Sequence, residues 1–346
     1  MREAILLGPA DDNAARQPFD SAGHAPLALP AFAAQSGATQ QMLPPLRWLM
    51  QPDASRFAHP AESQLAHMLS FYGVRWSYEP TTFAVRWGPE GEPLQFVTPD
   101  FYLPDYDCYL ELTTMRQRLV TRKNRKFRML REAYPNVSVR ILYQKDFERL
   151  QRVLDAPRTR PLAALGGPVF DAGQLRERIS ILAADYVDLW ASKSTEERAV
   201  RPLLLGLGRG SRTFLDALGA EVRAHGVSVD QDRIELSHPG APGTRRRARV
   251  ERSPQAAIDH RPVLLVQEVL SSGLSAAYVT AWLQRHGAAS VEICTLLDRD
   301  VARVLDVPVA LRGFSAPDVA LAGFGLSRWR EFRDLPYVAA VEAAPA

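Results

Sequence analysis

Cysteine is almost missing from this chain: Cys108 and Cys294 are the two in 346 residues, and they lie far apart. That excludes a disulfide framework and any thiolate cluster at metal-ligand spacing; both are expected as buried thiols in a reducing cytoplasm. No apolar run approaches the length of a membrane helix, and the N-terminus lacks a basic-then-apolar leader. No membrane partner is expected. Charge of either sign is also not in excess, with 42 Lys and Arg against 39 Asp and Glu for a net +3. The chain as a whole is neither a polyacid nor a polybase, so any polyanion preference must be local. With 46% apolar residues and a mean hydropathy of −0.18, a soluble, cytoplasmic, globular protein of two domains is expected.

Residues 1–45 are rich in Ala, Pro, Gly and Gln without sustained periodicity and read as a disordered tail. A second Pro/Gly-rich stretch, Ala156 to Pro168, falls between two patterned regions. It sets the expected organisation: a first domain over 46–155, a linker over 156–172 and a second domain over 173–342.

In the first domain, Leu65, Met68, Leu69 and Tyr72 recur at helical spacing before Gly73, which suits a helix end. Val74, Trp76 and Tyr78 alternate, then Phe83 to Trp87 and Leu94 to Val97 flank a Gly-Pro-Glu-Gly turn. Cys108 to Thr113 reads as another strand. A helix, an antiparallel meander and a long basic helix make a small α+β domain. Three acids stand where oxygen ligands could gather: Glu62 on the helix, Asp100 at a strand start and Glu111 within a strand. Such ligands suit Mg²⁺ or Mn²⁺.

Between Arg116 and Arg131 there are eight basic residues, including Lys123, Arg125 and Lys126, and no acid. Without acidic partners, helical i,i+4 pairing cannot explain them. Unpaired like charges make sense opposite a polyanion, so 116–131 is the expected nucleic-acid contact; the alternative is a solvated face.

The order of these acids resembles the PD-(D/E)XK nuclease superfamily over about Pro60 to Leu150, with Pro99-Asp100 as the PD pair and Glu111-Leu112-Thr113 at the E-x-K position. The resemblance implies a Mg²⁺-dependent endonuclease with Glu62, Asp100 and Glu111 at the site and Asp100 and Glu111 on the metal. Thr113 stands where that family has its lysine; Lys123 or Lys126 on the following helix would have to replace it. The alternative is a nuclease-like fold that no longer cuts.

The second domain is organised around Pro262 to Ser275. Val263 to Val266 suit a strand buried on both faces of a parallel sheet. Ser271, Ser272, Gly273 and Ser275 follow in a small-residue loop that opens a helix, which reads either as an anion cradle where backbone N–H groups and hydroxyls converge or as an ordinary Ser/Gly βα turn. Earlier, Pro202 to Gly206 reads as a buried strand running into Gly208-Arg209-Gly210-Ser211.

From about Leu175 to Val338 the chain resembles hypoxanthine-guanine phosphoribosyltransferases, through TLLDR (Thr295–Arg299), GF-x-x-PD (Gly313–Asp318), GFGL (Gly323–Leu326) and the tail WREFRDLPYV. The resemblance implies a Rossmann-like parallel α/β sheet binding phosphoribosyl pyrophosphate or a nucleotide at its C-terminal strand ends. It places Arg209 and Gly210 in the pyrophosphate loop, Gln267 and Glu268 at the ribose hydroxyls, Ser272, Gly273 and Ser275 in the phosphate cradle and Arg299 at the purine oxygen. It puts a mobile hood over His238 to Arg252. The family's aspartate base falls on Ser271, whose hydroxyl cannot accept a proton near neutral pH. The stacking aromatic falls on Ala320 and a metal-linked aspartate on Ser327. The pattern points to a metal-dependent nucleic-acid binding or cutting domain joined to a ligand-binding domain that has lost its base. Two alternatives stand: an active purine phosphoribosyltransferase of nucleotide salvage with an accessory DNA-binding domain, and a regulator that only binds. Oligomeric state is left open.

Overall fold

The computed structural model describes residues 6–7, 57–113, 117–148, 162–237, 247–299, 303–317, 319–326 and 332–343. The rest of the expected tail, the linker up to residue 161 and the centre of the expected hood, 238–246, lie outside the described residues. The chain divides into an N-terminal unit ending at Arg149 and a C-terminal unit beginning at Leu150.

In the N-terminal unit, β1 (Leu6–Leu7) falls inside the stretch read as a tail and pairs antiparallel with Phe83 and Thr82. Helix α1 (Pro60–Phe71) starts on a capping box: His59 Nδ1 accepts the Ala61 N–H, and Glu62 reaches back to the His59 N–H. Its Leu65, Met68, Leu69 and Phe71 are buried. Then come β2 (Ser77–Tyr78), β3 (Thr82–Trp87), β4 (Pro93–Val97), β5 (Phe101–Leu103) and β6 (Cys108–Thr113), followed by α2 (Gln117–Ala133) and β7 (Ser138–Tyr143). They build two sheets, ordered β1-β3-β4 and β2-β5-β6-β7. The expected antiparallel meander ends at β6, because β7 joins it in parallel; a parallel neighbour needs a long crossover, which α2 supplies. The buried stripe of α2, Phe127 and Leu130, packs with Tyr134 against Phe83, Val85, Val97 and Val139. The strand expected from Val74 shrinks to Ser77–Tyr78; Trp76 instead donates its indole N–H to Ser70 Oγ at 3.0 Å.

The C-terminal unit opens with β8 (Leu162–Phe170), within the stretch expected to be a linker. It lies at the edge of a three-stranded sheet, where the ladder tolerates Pro168. Helix α3 (Ala172–Ala191), capped by Asp171, and a single turn α4 (Thr195–Arg198) lead to β9 (Leu203–Leu207). Next are α5 (Arg212–Ala224), β10 (Asp230–Leu236), β11 (Val250–Arg252), β12 (Pro262–Leu270), α6 (Leu274–Arg285), β13 (Ser290–Asp298) and β14 (Leu311–Ser315). Finally, β15 (Ala320–Ala322) and β16 (Val338–Ala343) complete the order β15-β16-β8.

The main sheet runs β11-β10-β9-β12-β13-β14, parallel except for the edge strand β11. Leu203–Leu205 and Val263–Val266 are fully buried at its centre, which is why they read as unbroken apolar runs. Val250–Arg252, expected as loop, pairs with β10 as one arm of the hood position.

Candidate functional site

In the N-terminal unit β5, β6 and α2 bring together three of the five residues expected there. Asp100 precedes β5 and Glu111 lies in β6; both are buried, Glu111 at 1% exposure. Asp100 Oδ2 accepts the Leu112 N–H at 2.6 Å. Lys123, from the first half of α2, forms an ion pair with Glu111 and donates to Leu112 O at 3.1 Å. Burial pushes both carboxyls above the ordinary range, and for Glu111 the neighbouring Asp100 pushes further; Lys123 pulls against both. The Glu111 oxygens have no exposed surface and take no well-formed hydrogen bond.

Of the other two, Glu62 lies near enough for its charge to push the Asp100 carboxyl up further, but it is held by hydrogen bonds of its own. Glu62 Oε2 accepts the N–H groups of Ala58 and His59 and, at 2.7 Å, the Tyr78 hydroxyl. Its work is to cap α1, and among the described residues no three His, Cys, Asp or Glu side chains gather as a metal cluster. Asp100 and Glu111 are thus the close pair, with Glu62 a nearby charge and not a third member of a metal cluster. Lys126 lines a separate groove with Arg86, Phe96 and Arg125. Of the other basic residues, Arg131 donates to Val139 O at 2.9 Å, a structural bond; Arg116 and the side chains of Arg118 and Arg122 lie outside the described residues.

In the C-terminal unit the expected ligand loops meet at the C-terminal ends of β9 and β12. Gly273 ends the loop after β12 at φ 79° and caps α6. A Cβ there would run into Leu305 O, so glycine is required both by backbone conformation and by space. Ser272 O accepts the N–H groups of Val304 and Leu305 at 3.0 and 2.9 Å, and Ser272 Oγ accepts the Leu274 N–H at 3.3 Å. Ser275 stands in the first turn of α6. The loop after β9 turns at Gly208, φ 82°, and Ser211 Oγ closes it onto Gly208 O at 2.8 Å. Side chains at Gly210 or Gly325 would collide, at Gly210 with the Glu268 carboxylate and at Gly325 with Gly210 O. The Gly208–Gly210 loop, the end of β12 and the GFGL turn are thus in close contact.

Arg209 is exposed and donates from Nε to Glu235 in β10 at 2.8 Å. Glu268 is half-buried, with its Oε2 shielded from solvent and without a partner, and burial pushes the carboxyl up to about 7 despite its own backbone N–H and Arg333. Gln267 is buried with its amide nitrogen unpaired. Arg299 donates to Val319 O at 3.0 Å, and Ala320, at the stacking position, is exposed. Ser327 lies outside the described residues.

Comparison with known proteins decides the family. The family described as "Phosphoribosyl transferase domain" matches residues 179–329. The hypoxanthine phosphoribosyltransferase of Salmonella typhimurium is 31% identical over 169 residues, 49% of this chain and 90% of the relative. That of Escherichia coli is 34% identical over the same span. The chain belongs to the phosphoribosyltransferase family. Among solved structures, a hypoxanthine-guanine phosphoribosyltransferase from Bacillus anthracis aligns at TM-score 0.45 and 22% identity, covering 52% of this chain and 100% of that one.

Inside the phosphoribosyltransferase domain, one cluster escaped the sequence reading. Arg303 is 4% exposed; its Nε donates to Ser271 O at 2.8 Å, and its guanidinium pairs with Asp298, which also takes Arg312 Nε at 2.7 Å. Asp298 thereby fixes Arg303, and Arg303 fixes the loop that carries Ser271. The available signal was Arg303 itself, set among Val301, Val304 and Leu305.

Proposed function

We propose that this chain joins a metal-dependent DNA-cutting site on Asp100, Glu111 and Lys123 to a phosphoribosyltransferase domain that binds phosphoribosyl pyrophosphate or a nucleotide without transferring the ribosyl group. The observation that carries the cutting site is the buried Asp100–Glu111 pair set against the one ammonium of Lys123. Two desolvated like charges are costly side by side, and a single ammonium offsets one of them. Mg²⁺ or Mn²⁺ needs only one or two protein carboxylates, with water and phosphate oxygens filling its remaining positions. Bound there, the ion supplies Lewis acidity to a phosphodiester. Asp100 and Glu111 would hold it, and Lys123, which donates to Leu112 O, would take the place of the lysine absent at Thr113. Hydrolysis forms a bond from water to phosphorus and breaks the ester bond, the leaving oxygen taking a proton.

The second half rests on uneven substitution at the ligand loops. Ser272, Gly273 and Ser275 keep an anion cradle at the start of α6, whereas Ser271 stands where the family's base would take a proton. A missing general base costs about 10²–10⁴-fold. The 31–34% identity to hypoxanthine phosphoribosyltransferases favours a second reading, a working purine-salvage enzyme with an accessory DNA-binding domain.

Incubation of plasmid DNA with the full chain and Mg²⁺ or Mn²⁺, with Asp100→Asn and Glu111→Gln as controls, tests the cutting site. Metal-dependent nicking lost in both variants is expected; intact plasmid at every metal concentration would leave the pair as a structural remnant. Adding phosphoribosyl pyrophosphate or nucleotides to the same reactions shows whether the bound ligand alters cutting.

A further inference from the structure

The basic helix α2 carries more than Lys123. One turn further on, Arg125, Lys126 and Met129 form one wall of an open groove whose other wall is β3 and β4, with Arg86, Leu94 and Phe96. Lys123 and Lys126 are three residues apart, so their Cβ atoms are about 5–6 Å apart on adjoining parts of the helix surface. The groove thus begins about one turn from the Asp100–Glu111 pair, within the same unit.

Its chemistry is mixed in a specific way. No acid lines it, and among the described residues Arg86, Arg125 and Lys126 have no carboxylate partner. Leu94 and Phe96 are 50% and 39% exposed. They are two apart on β4 and so point to the same face, while Val97 turns into the core. A duplex offers such a groove phosphates but hides the faces of its bases. An unpaired strand offers both, phosphates for the cations and base faces for the phenyl ring.

We infer that this groove docks single-stranded DNA, with the phosphates on Arg86, Arg125 and Lys126 and a base stacked on Phe96. The inference rests on the nucleic-acid reading above but does not require cutting. It assigns Lys126 to strand binding and not to chemistry at the carboxylates, and it makes the substrate of the N-terminal unit one with an unpaired end or flap.

Fluorescence anisotropy of the full chain with a labelled thymidine 20-mer, in a metal-free buffer with EDTA, tests this. Base–aromatic stacking of about 1–3 kcal/mol predicts that Phe96→Ala weakens the single strand about 5- to 150-fold, with Phe96→Tyr close to wild type. Arg125→Ala/Lys126→Ala should lower the log–log salt slope by about 1.4, at about 0.7 per phosphate contact on a single strand. Thermal unfolding of each variant checks that it is folded, and Phe96→Tyr serves as a second probe if Phe96→Ala is not. Equal affinity of Phe96→Ala and wild type, tighter binding of a 20-mer duplex, or preference for the matching RNA would overturn the inference. So would a wild-type dimer in sedimentation that Phe96→Ala converts to monomer, since a second copy would then own the groove. Cutting is scored separately: Phe96-dependent binding in a protein that never nicks DNA would keep the groove and remove the nuclease. Nicking that Phe96→Ala leaves untouched, with unchanged binding, would do the reverse.

Discussion

Glu111 in the N-terminal unit, fully buried, and Glu268 in the C-terminal unit, half-buried with one oxygen shielded, are both carboxylates pushed above their ordinary range by burial. Their neighbours differ. Glu111 has a second carboxylate, Asp100, and a lysine in direct contact; Glu268 lies against the backbone of Gly210 with Arg333 as its attractive charge. Doubling the negative charge makes a place for a cation. A single carboxylate facing a glycine-lined loop is instead suited to neutral hydrogen-bonding partners such as hydroxyl groups. The same burial serves cation affinity in one unit and, in our reading, ribose recognition in the other.

The largest way to break this contrast is to remove the cation already present. Lys123→Met leaves Glu111 buried without its ion pair; with its carboxyl already pushed up to about 8, the penalty appears above that pH, where it should approach about 3–5 kcal/mol in denaturant unfolding. Saturating Mg²⁺ should restore part of it, about 2.7 kcal/mol at a hundred times the dissociation constant. No Mg²⁺ effect on wild type, Lys123→Met or Glu111→Gln would remove the metal from the account.

Glu268→Gln comes next, and its sign is fixed by linkage. The folded carboxyl titrates at about 7 against an ordinary 4.5, so the fold favours the proton. Stability from this group is full below pH 4.5 and is lost as pH rises through 7. The neutral amide should match wild type at pH 4.5 and exceed it at pH 8 by on the order of 3 kcal/mol, at about 1.36 kcal/mol per pK unit. A constant difference between the two proteins across that range would show that the carboxylate is not desolvated.

A smaller effect is expected at the phosphate cradle. Gly273→Ala forces a side chain into the left-handed region, at about 1–3 kcal/mol, and against Leu305 O. Stability should drop by at least that amount and phosphoribosyl pyrophosphate affinity with it. Unchanged affinity would separate the loop from ligand binding.

Much of the C-terminal half was readable from residues alone. Val263–Val266 and Leu203–Leu205 announce buried parallel strands because both faces are covered, and Gly273 marks the loop because no other residue fits its backbone. The N-terminal half was legible in its residue types but not in their partners. Lys123 and Lys126 share a flank of α2, and only the position of Leu112 O, on a strand registered by β7, selects Lys123. Glu62 carried its own signal in His59-Pro60-Ala61-Glu62, a capping pattern that competes with a ligand role. The parallel pairing of β6 with β7 and the strand β8 inside a Pro/Gly-rich stretch depend on distant partners, β8 on β16. Local pattern cannot reveal them.

The central claim, ligand binding without transfer, meets its most direct test in calorimetric titration of the full chain with phosphoribosyl pyrophosphate and Mg²⁺, with hypoxanthine or guanine in the cell. The account predicts heat that saturates at one equivalent and is unchanged by the purine, with no continuing heat after each injection. Sustained heat release at a steady rate, accompanied by nucleotide product, would contradict it and make this chain a salvage enzyme; no heat of binding at all would contradict it from the other side.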